Sequence, residues 1–108
     1  DYIHVMDLAN AHKCALDFLF NNKPQNLDLN IGTGKGTSVL ELINTFSKVN
    51  KCIVNYEFTE RRVGDIAQII ADTTKVKSLL KWKPEKNISD MCFDGFKWQK
   101  LNPEGYLD

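Results

Sequence analysis

Phe58-Thr59-Glu60-Arg61-Arg62-Val63-Gly64-Asp65-Ile66-Ala67-Gln68-Ile69-Ile70-Ala71-Asp72 is the stretch on which the reading of this chain turns. An apolar run, residues 53–58, leads into paired arginines, and Gly64 and Asp65 precede a second apolar run, residues 66–71. Both runs are short and rich in β-branched or aromatic residues, so the stretch reads as a loop between two strands. It carries two cations and a carboxylate. A guanidinium is a rigid fork of donors that suits the paired oxygens of phosphate, and a carboxylate three residues on can accept from vicinal hydroxyls. A pyrophosphate joined to a ribose offers both partners. The same residues also fit a solvated turn whose arginines pair with Glu57 and Glu60.

Outward from the loop, the pattern alternates between helical and strand-like periods. Residues 2–5 alternate weakly, as a short strand or an extended lead-in. Asp7 then precedes a helical pattern to about Phe20, with Leu8, Ala11, Ala15 and Leu19 on a broad apolar face that predicts a largely buried helix. Asn21, Asn22 and Pro24 end it. His4 and His12 are eight residues apart, which suits packing or capping and not a metal pair. Residues 27–31 read as a buried strand running into Gly32-Thr33-Gly34-Lys35-Gly36-Thr37-Ser38.

A strand, a glycine turn and a helix start can cradle a dinucleotide, and Glu57 lies near where a ribose-binding acid would be. However, Thr37 stands at the third glycine of G-x-G-x-x-G, and Lys35 is followed by Gly36, which also fails the P-loop pattern. The plainer reading is a backbone turn ahead of a capped helix, since Ser38-Val39-Leu40-Glu41 is a capping box. Val39, Leu42, Ile43, Phe46 and Val49 form that helix's stripe. Ile53, Asn55 and Glu57 then face opposite to Val54, Tyr56 and Phe58 along a strand. Asp72 caps a short helix with Val76, Leu79 and Leu80 inward, stopped by Trp82-Lys83-Pro84. A last helix starts near Asn87 or Ser89 and ends at Asn102-Pro103.

The totals limit what this chain can be. With 108 residues, 43% hydrophobic and 26% charged, it suits a single small globular unit. Its 14 basic and 14 acidic residues cancel, which argues against a nucleic-acid surface. Cys14, Cys52 and Cys92 are odd in number and widely spaced, predicting neither a disulfide framework nor a zinc site, and hence a reduced, cytoplasmic setting. No run approaches the ~18 apolar residues of a membrane span. The start, Asp1-Tyr2-Ile3-His4-Val5, has no methionine and reads as part of something longer.

Taken in order, Asp1-Tyr2-Ile3-His4-Val5-x-Asp7-Leu8-Ala9, Asn30-Ile31-Gly32-x-Gly34, Arg61-Arg62-x-Gly64-Asp65, Ala71-Asp72 and Trp82-x-Pro84 resemble the C-terminal part of extended short-chain dehydrogenase/reductases acting on nucleotide sugars. The first motif and the ending, Trp98-Gln99 with Pro103-x-Gly105-Tyr106, resemble the UDP-glucose 4-epimerase family within it. That resemblance implies an α/β fold: the C-terminal substrate-binding lobe of a Rossmann-type protein, residues 1–108, with short strands and about four helices. It implies an isomerase of galactose metabolism, interconverting UDP-glucose and UDP-galactose at C4 through a 4-keto intermediate. NAD would be bound by an N-terminal part absent here, because the family's NAD fingerprint and Tyr-x-x-x-Lys pair have no match in this sequence. No catalytic or metal-binding residue is therefore expected, and the piece alone would be inactive.

Position by position, Arg62 resembles the family's contact to the substrate pyrophosphate and Asp65 its contact to the uridine ribose. Tyr2 resembles an aromatic beside the diphosphate. Ile69 stands where side-chain bulk affects acceptance of an N-acetylhexosamine. The resemblance further implies a homodimeric intact enzyme, with no nucleic-acid or membrane partner. Alternatives are another nucleotide-sugar epimerase, dehydratase or decarboxylase sharing the Arg-x-x-Asp loop, or a non-catalytic module binding a nucleotide or a protein.

Overall fold

Helix starts are where this sequence speaks most locally. In the computed structural model, which describes residues 1–106, four helices follow one another: α1 (Val5–Phe20), α2 (Val39–Asn50), α3 (Thr74–Leu80) and α4 (Ile88–Leu101). The first N–H groups of a helix lack intrahelical partners and need an acceptor from outside. For α1 the acceptor is the Nδ1 of His4, at 3.1 Å from the Met6 N–H. The helix therefore begins two residues before Asp7. Asp7, buried in its first turn, accepts instead from the backbone N–H groups of Glu85 and Lys86. For α2, Ser38 and Glu41 form the expected reciprocal box at 3.1 and 2.7 Å. Asp72 accepts from the Thr74 N–H at 2.9 Å, although the residue immediately before α3 is Thr73. Asn87 and Asp90 form a second box at the start of α4.

The α2 box makes a pH-dependent prediction. Bonds from the Ser38 backbone N–H and then its hydroxyl hold the Glu41 carboxyl below its ordinary value of 4.5. A depressed folded pKa gives stabilisation that is present above the unfolded value and lost as pH falls through the folded one. Ser38→Ala should therefore cost about 1 kcal/mol at neutral pH, as lost caps do, and measurably less at pH 3. Urea denaturation followed by circular dichroism at the two pH values checks this; an equal cost at both would show that the Ser38 hydroxyl does not couple to the Glu41 carboxylate.

The helices pack in two pairs. Between α2 and α4, Phe46 and Phe96 meet edge to face with centroids 5.3 Å apart, and the Asn50 side chain donates to the Cys92 carbonyl at 3.1 Å. Between α1 and α3, Ala11 and Val76 are buried together with Trp82, with Ile3, Cys14, Leu29, Ile31 and Leu80 packed around them. His4 Nε2, 3.1 Å from Asp94, joins the start of α1 to α4. Among the described residues this buried cluster is small. The radius of gyration, 17.1 Å, exceeds the ~13 Å of a self-contained domain this long. The accessible surface of 8938 Å² is likewise well above the ~6100 Å² typical of its 12.4 kDa.

The sequence expectation of an α/β fold is corrected here, because no strand is present among the described residues. A strand exists only through its ladder, and none of the runs 27–31, 53–58 and 66–71 exchanges backbone hydrogen bonds with another. The 27–31 run keeps a period of two, with Leu27, Leu29 and Ile31 half-buried and Asp28 and Asn30 exposed, but it has no partner. On the 66–71 run, two groups that a ladder would use are taken by Asp1. The broad apolar face of α1 is also less covered than its pattern predicts: only Asp7 and Ala11 are buried, while Leu16, Leu19 and Phe20 are exposed. His12 is exposed too, bonded to the Leu8 carbonyl one turn back. No helix among the described residues is long and apolar enough to cross a membrane.

Candidate functional site

The arginine loop closes for a local reason. The Asp65 N–H donates to the Arg62 carbonyl at 3.2 Å, and Gly64, third of the four residues, has φ +89°. A β-turn with positive φ at that position is the type II kind, for which glycine is favoured because it lacks a Cβ. The turn sets the side chains of its first and last residues side by side. Arg62 Nε lies 3.4 Å from Asp65 Oδ2, and both residues are exposed. Among the described residues the Arg62 guanidinium makes no other hydrogen bond, so its terminal fork points into solvent, as does the second Asp65 oxygen. Such an exposed pair adds little stability by itself. Its consequence is geometric: a donor fork and a carboxylate are presented together. Arg61, by contrast, joins no ion pair among the described residues, and neither Glu57 nor Glu60 pairs with the loop.

Tyr2 and Ile69 come together elsewhere. Both line an open groove of about 1100 Å³ bounded by the 29–31 segment, the residues ahead of α2 and the 66–71 segment. Arg62 and Asp65 do not line it; they sit on the turn just before its 66–71 wall. The four residues singled out from sequence thus fall into two adjacent pairs, joined by the short chain from Asp65 to Ile69.

The groove is shaped by a residue that the sequence reading did not single out. The Asp1 carboxylate accepts from the Thr33 N–H at 3.0 Å, the Thr33 hydroxyl at 2.6 Å, the Gly34 N–H at 2.9 Å and the Ala71 N–H at 3.3 Å. Its own backbone nitrogen donates to the Ile69 carbonyl at 2.9 Å. This occupies the glycine turn. Successive backbone N–H groups there do form an anion-binding nest, but the anion is internal. A Cβ built on Gly32 would lie 2.6 Å from the Ala71 Cβ and 2.7 Å from Asp1 Oδ2. The phosphates of a dinucleotide do not fit a cradle already filled by a carboxylate. The 32–34 turn is therefore the backbone turn of the plainer reading, with Asp1 where an external anion would sit.

No protein-family model matches the chain. The UDP-glucose 4-epimerase of Dictyostelium discoideum is 44% identical over 108 residues, covering 100% of this chain and 31% of that protein. The UDP-glucose 4-epimerase of Bacillus subtilis is also 44% identical, over 106 residues, covering 98% of this chain and 31% of its own length. A crystal structure of the Bifidobacterium longum UDP-glucose 4-epimerase in complex with NAD+ and UDP superposes with a TM-score of 0.89 at 42% identity, over 98% of this chain and 31% of that one. This chain is homologous to the C-terminal part of UDP-glucose 4-epimerases. It spans about a third of the length of the epimerases it matches. That proportion accords with the excess of exposed apolar side chains, among them Phe20, Ile53, Phe58 and Ile66.

Proposed function

We propose that this chain is the UDP-gripping lobe of an enzyme that interconverts UDP-glucose and UDP-galactose at C4, with NAD held by polypeptide other than these residues. The observation that carries the reading is the match of 98% of this chain to about a third of an epimerase solved with NAD+ and UDP, together with the adjacent fork and carboxylate of Arg62 and Asp65. The unpaired cysteines Cys14, Cys52 and Cys92 are compatible with a cytoplasmic setting.

The chemistry asks for an uneven hold on the substrate. Inverting C4 requires either face of the hexose to reach the same reactive group, so the sugar must turn while the nucleotide stays fixed. Charged contacts belong at the UDP end. The Arg62 fork supplies them to the diphosphate, Asp65 accepts from the ribose hydroxyls, and Tyr2 lies against the diphosphate. Ile69 borders the sugar with an apolar surface, which restrains position without gripping orientation. Binding energy is then spent on the remote part of the substrate, where it supports access to the transition state.

The test is calorimetric titration of the intact protein with UDP and, separately, with inorganic pyrophosphate. Asp65→Asn should weaken UDP by roughly 1 to 2 kcal/mol, the scale of a lost bond to a charged acceptor, and pyrophosphate by much less. Equal losses for both ligands would remove Asp65 from the ribose, and absence of UDP binding by the parent would remove the proposal.

A further inference from the structure

We infer that Asp1 is a positioning residue for this site, holding Tyr2 and the Ile69 segment at a set spacing by plugging the glycine turn with its carboxylate. The inference rests on the UDP-sugar reading above and extends it to a residue whose carboxylate is already taken up by the protein's own donors. An ionised carboxylate has about four acceptor directions, and here four donors fill them. Three come from Thr33 and Gly34 and one from Ala71, so the charge joins two segments that are distant in sequence. The backbone nitrogen adds a second link to the same segment, at Ile69. Ile69 is thereby tied to the residue next to Tyr2, across the groove they both line.

The arrangement has little slack. Gly32 is buried against both Asp1 and Ala71, with no room for a methyl group. Gly34, at φ +74°, takes the left-handed conformation that turns its N–H toward the carboxylate. An asparagine at position 1 keeps one oxygen but faces the remaining donors with an NH2 group, so donor meets donor. A glutamate is one methylene too long for a nest that is already tight. Either change lets the 69–71 segment move relative to Tyr2, and small displacements of positioning groups have large effects on ligand binding.

The experiment compares Asp1→Asn, Thr33→Ala and Thr33→Ser with the parent and with Arg62→Ala in the intact protein. Affinity for UDP and steady-state constants for UDP-galactose are measured well below the melting temperature. For Asp1→Asn, Kd for UDP and KM should rise about tenfold while kcat stays within about threefold, the pattern of lost ground-state binding. Thr33→Ala, which removes the 2.6 Å hydroxyl donor, should give a smaller rise of about threefold, and Thr33→Ser, which keeps that donor, should restore the parental value. The threonine pair decides the matter if Asp1→Asn fails to fold. A lowered melting temperature with Kd and KM within twofold of the parent would make Asp1 merely structural and overturn the inference. If Arg62→Ala weakens UDP while the Asp1 and Thr33 variants do not, the inference falls and the UDP reading stands. A parent that binds no UDP overturns both.

Discussion

Arg62→Ala in the intact protein is expected to weaken binding of UDP-sugars by roughly 2 to 4 kcal/mol, or about 30- to 1000-fold. The size follows from what the guanidinium would meet. A diphosphate presents paired anionic oxygens, and a bidentate fork forms two charge-assisted bonds to them, each stronger than a neutral hydrogen bond. Removing the fork leaves the phosphate charge without its partner. Fold stability should hardly change, because among the described residues the Arg62 side chain pairs only with Asp65, an exposed carboxylate at 3.4 Å, and exposed pairs contribute about 0 to 1 kcal/mol. Binding and stability are thus separable at this position. Arg62→Lys should recover only part of the affinity, since an ammonium restores the charge without the fork. Calorimetry with UDP, beside a denaturation curve for each variant, provides the measurement. Affinity within twofold of the parent would remove Arg62 from the site.

Four helices and the arginine turn were legible because their causes lie within a few residues. Ser38 with Glu41, and Asn87 with Asp90, are three apart, and Gly64 occupies the one turn position that needs positive φ. The strands were not, because alternation marks a surface suited to pairing and says nothing of whether the partner lies in the same chain. Residues 27–31 alternate as a strand should and still have nothing to pair with. Asp1 escaped notice for a related reason. Its donors lie 32 to 70 residues away, and no local pattern records such a convergence. One signal did exist in the sequence: a glycine turn whose N–H groups matched neither dinucleotide nor P-loop spacing still needed an acceptor. His4, read as packing or capping, caps α1, whereas Asp7, read as lying just before the helix, sits in its first turn and accepts from Glu85 and Lys86, which no local pattern records.

Trp82→Ala should cost about 3 to 5 kcal/mol of stability, the range for truncating a buried aromatic. Trp82 is 4% exposed and shares the buried cluster with Ala11 of α1 and Val76 of α3, so its ring is the largest apolar body holding those helices together. The cluster has only three buried members among the described residues, ringed by partly buried side chains such as Ile3, Leu29 and Leu80, so the loss is not spread over a broad core. Domains are typically stable by only about 5 to 15 kcal/mol, so a loss of this size moves the denaturation midpoint far enough for direct reading. Trp98→Ala is the internal control. That ring is 41% exposed, with Tyr106 edge to face as its one aromatic contact among the described residues, and its removal should cost less than half as much. The effect of Trp82→Ala should also reach the groove. Leu29 and Ile31 pack against the same cluster and lead straight into Gly32, so loosening the cluster frees the turn that receives Asp1. Circular dichroism in urea gives the stability difference, and UDP titration of the folded fraction tests the coupling. Equal midpoints for the two tryptophan variants would mean that the cluster is not what holds α1 to α3.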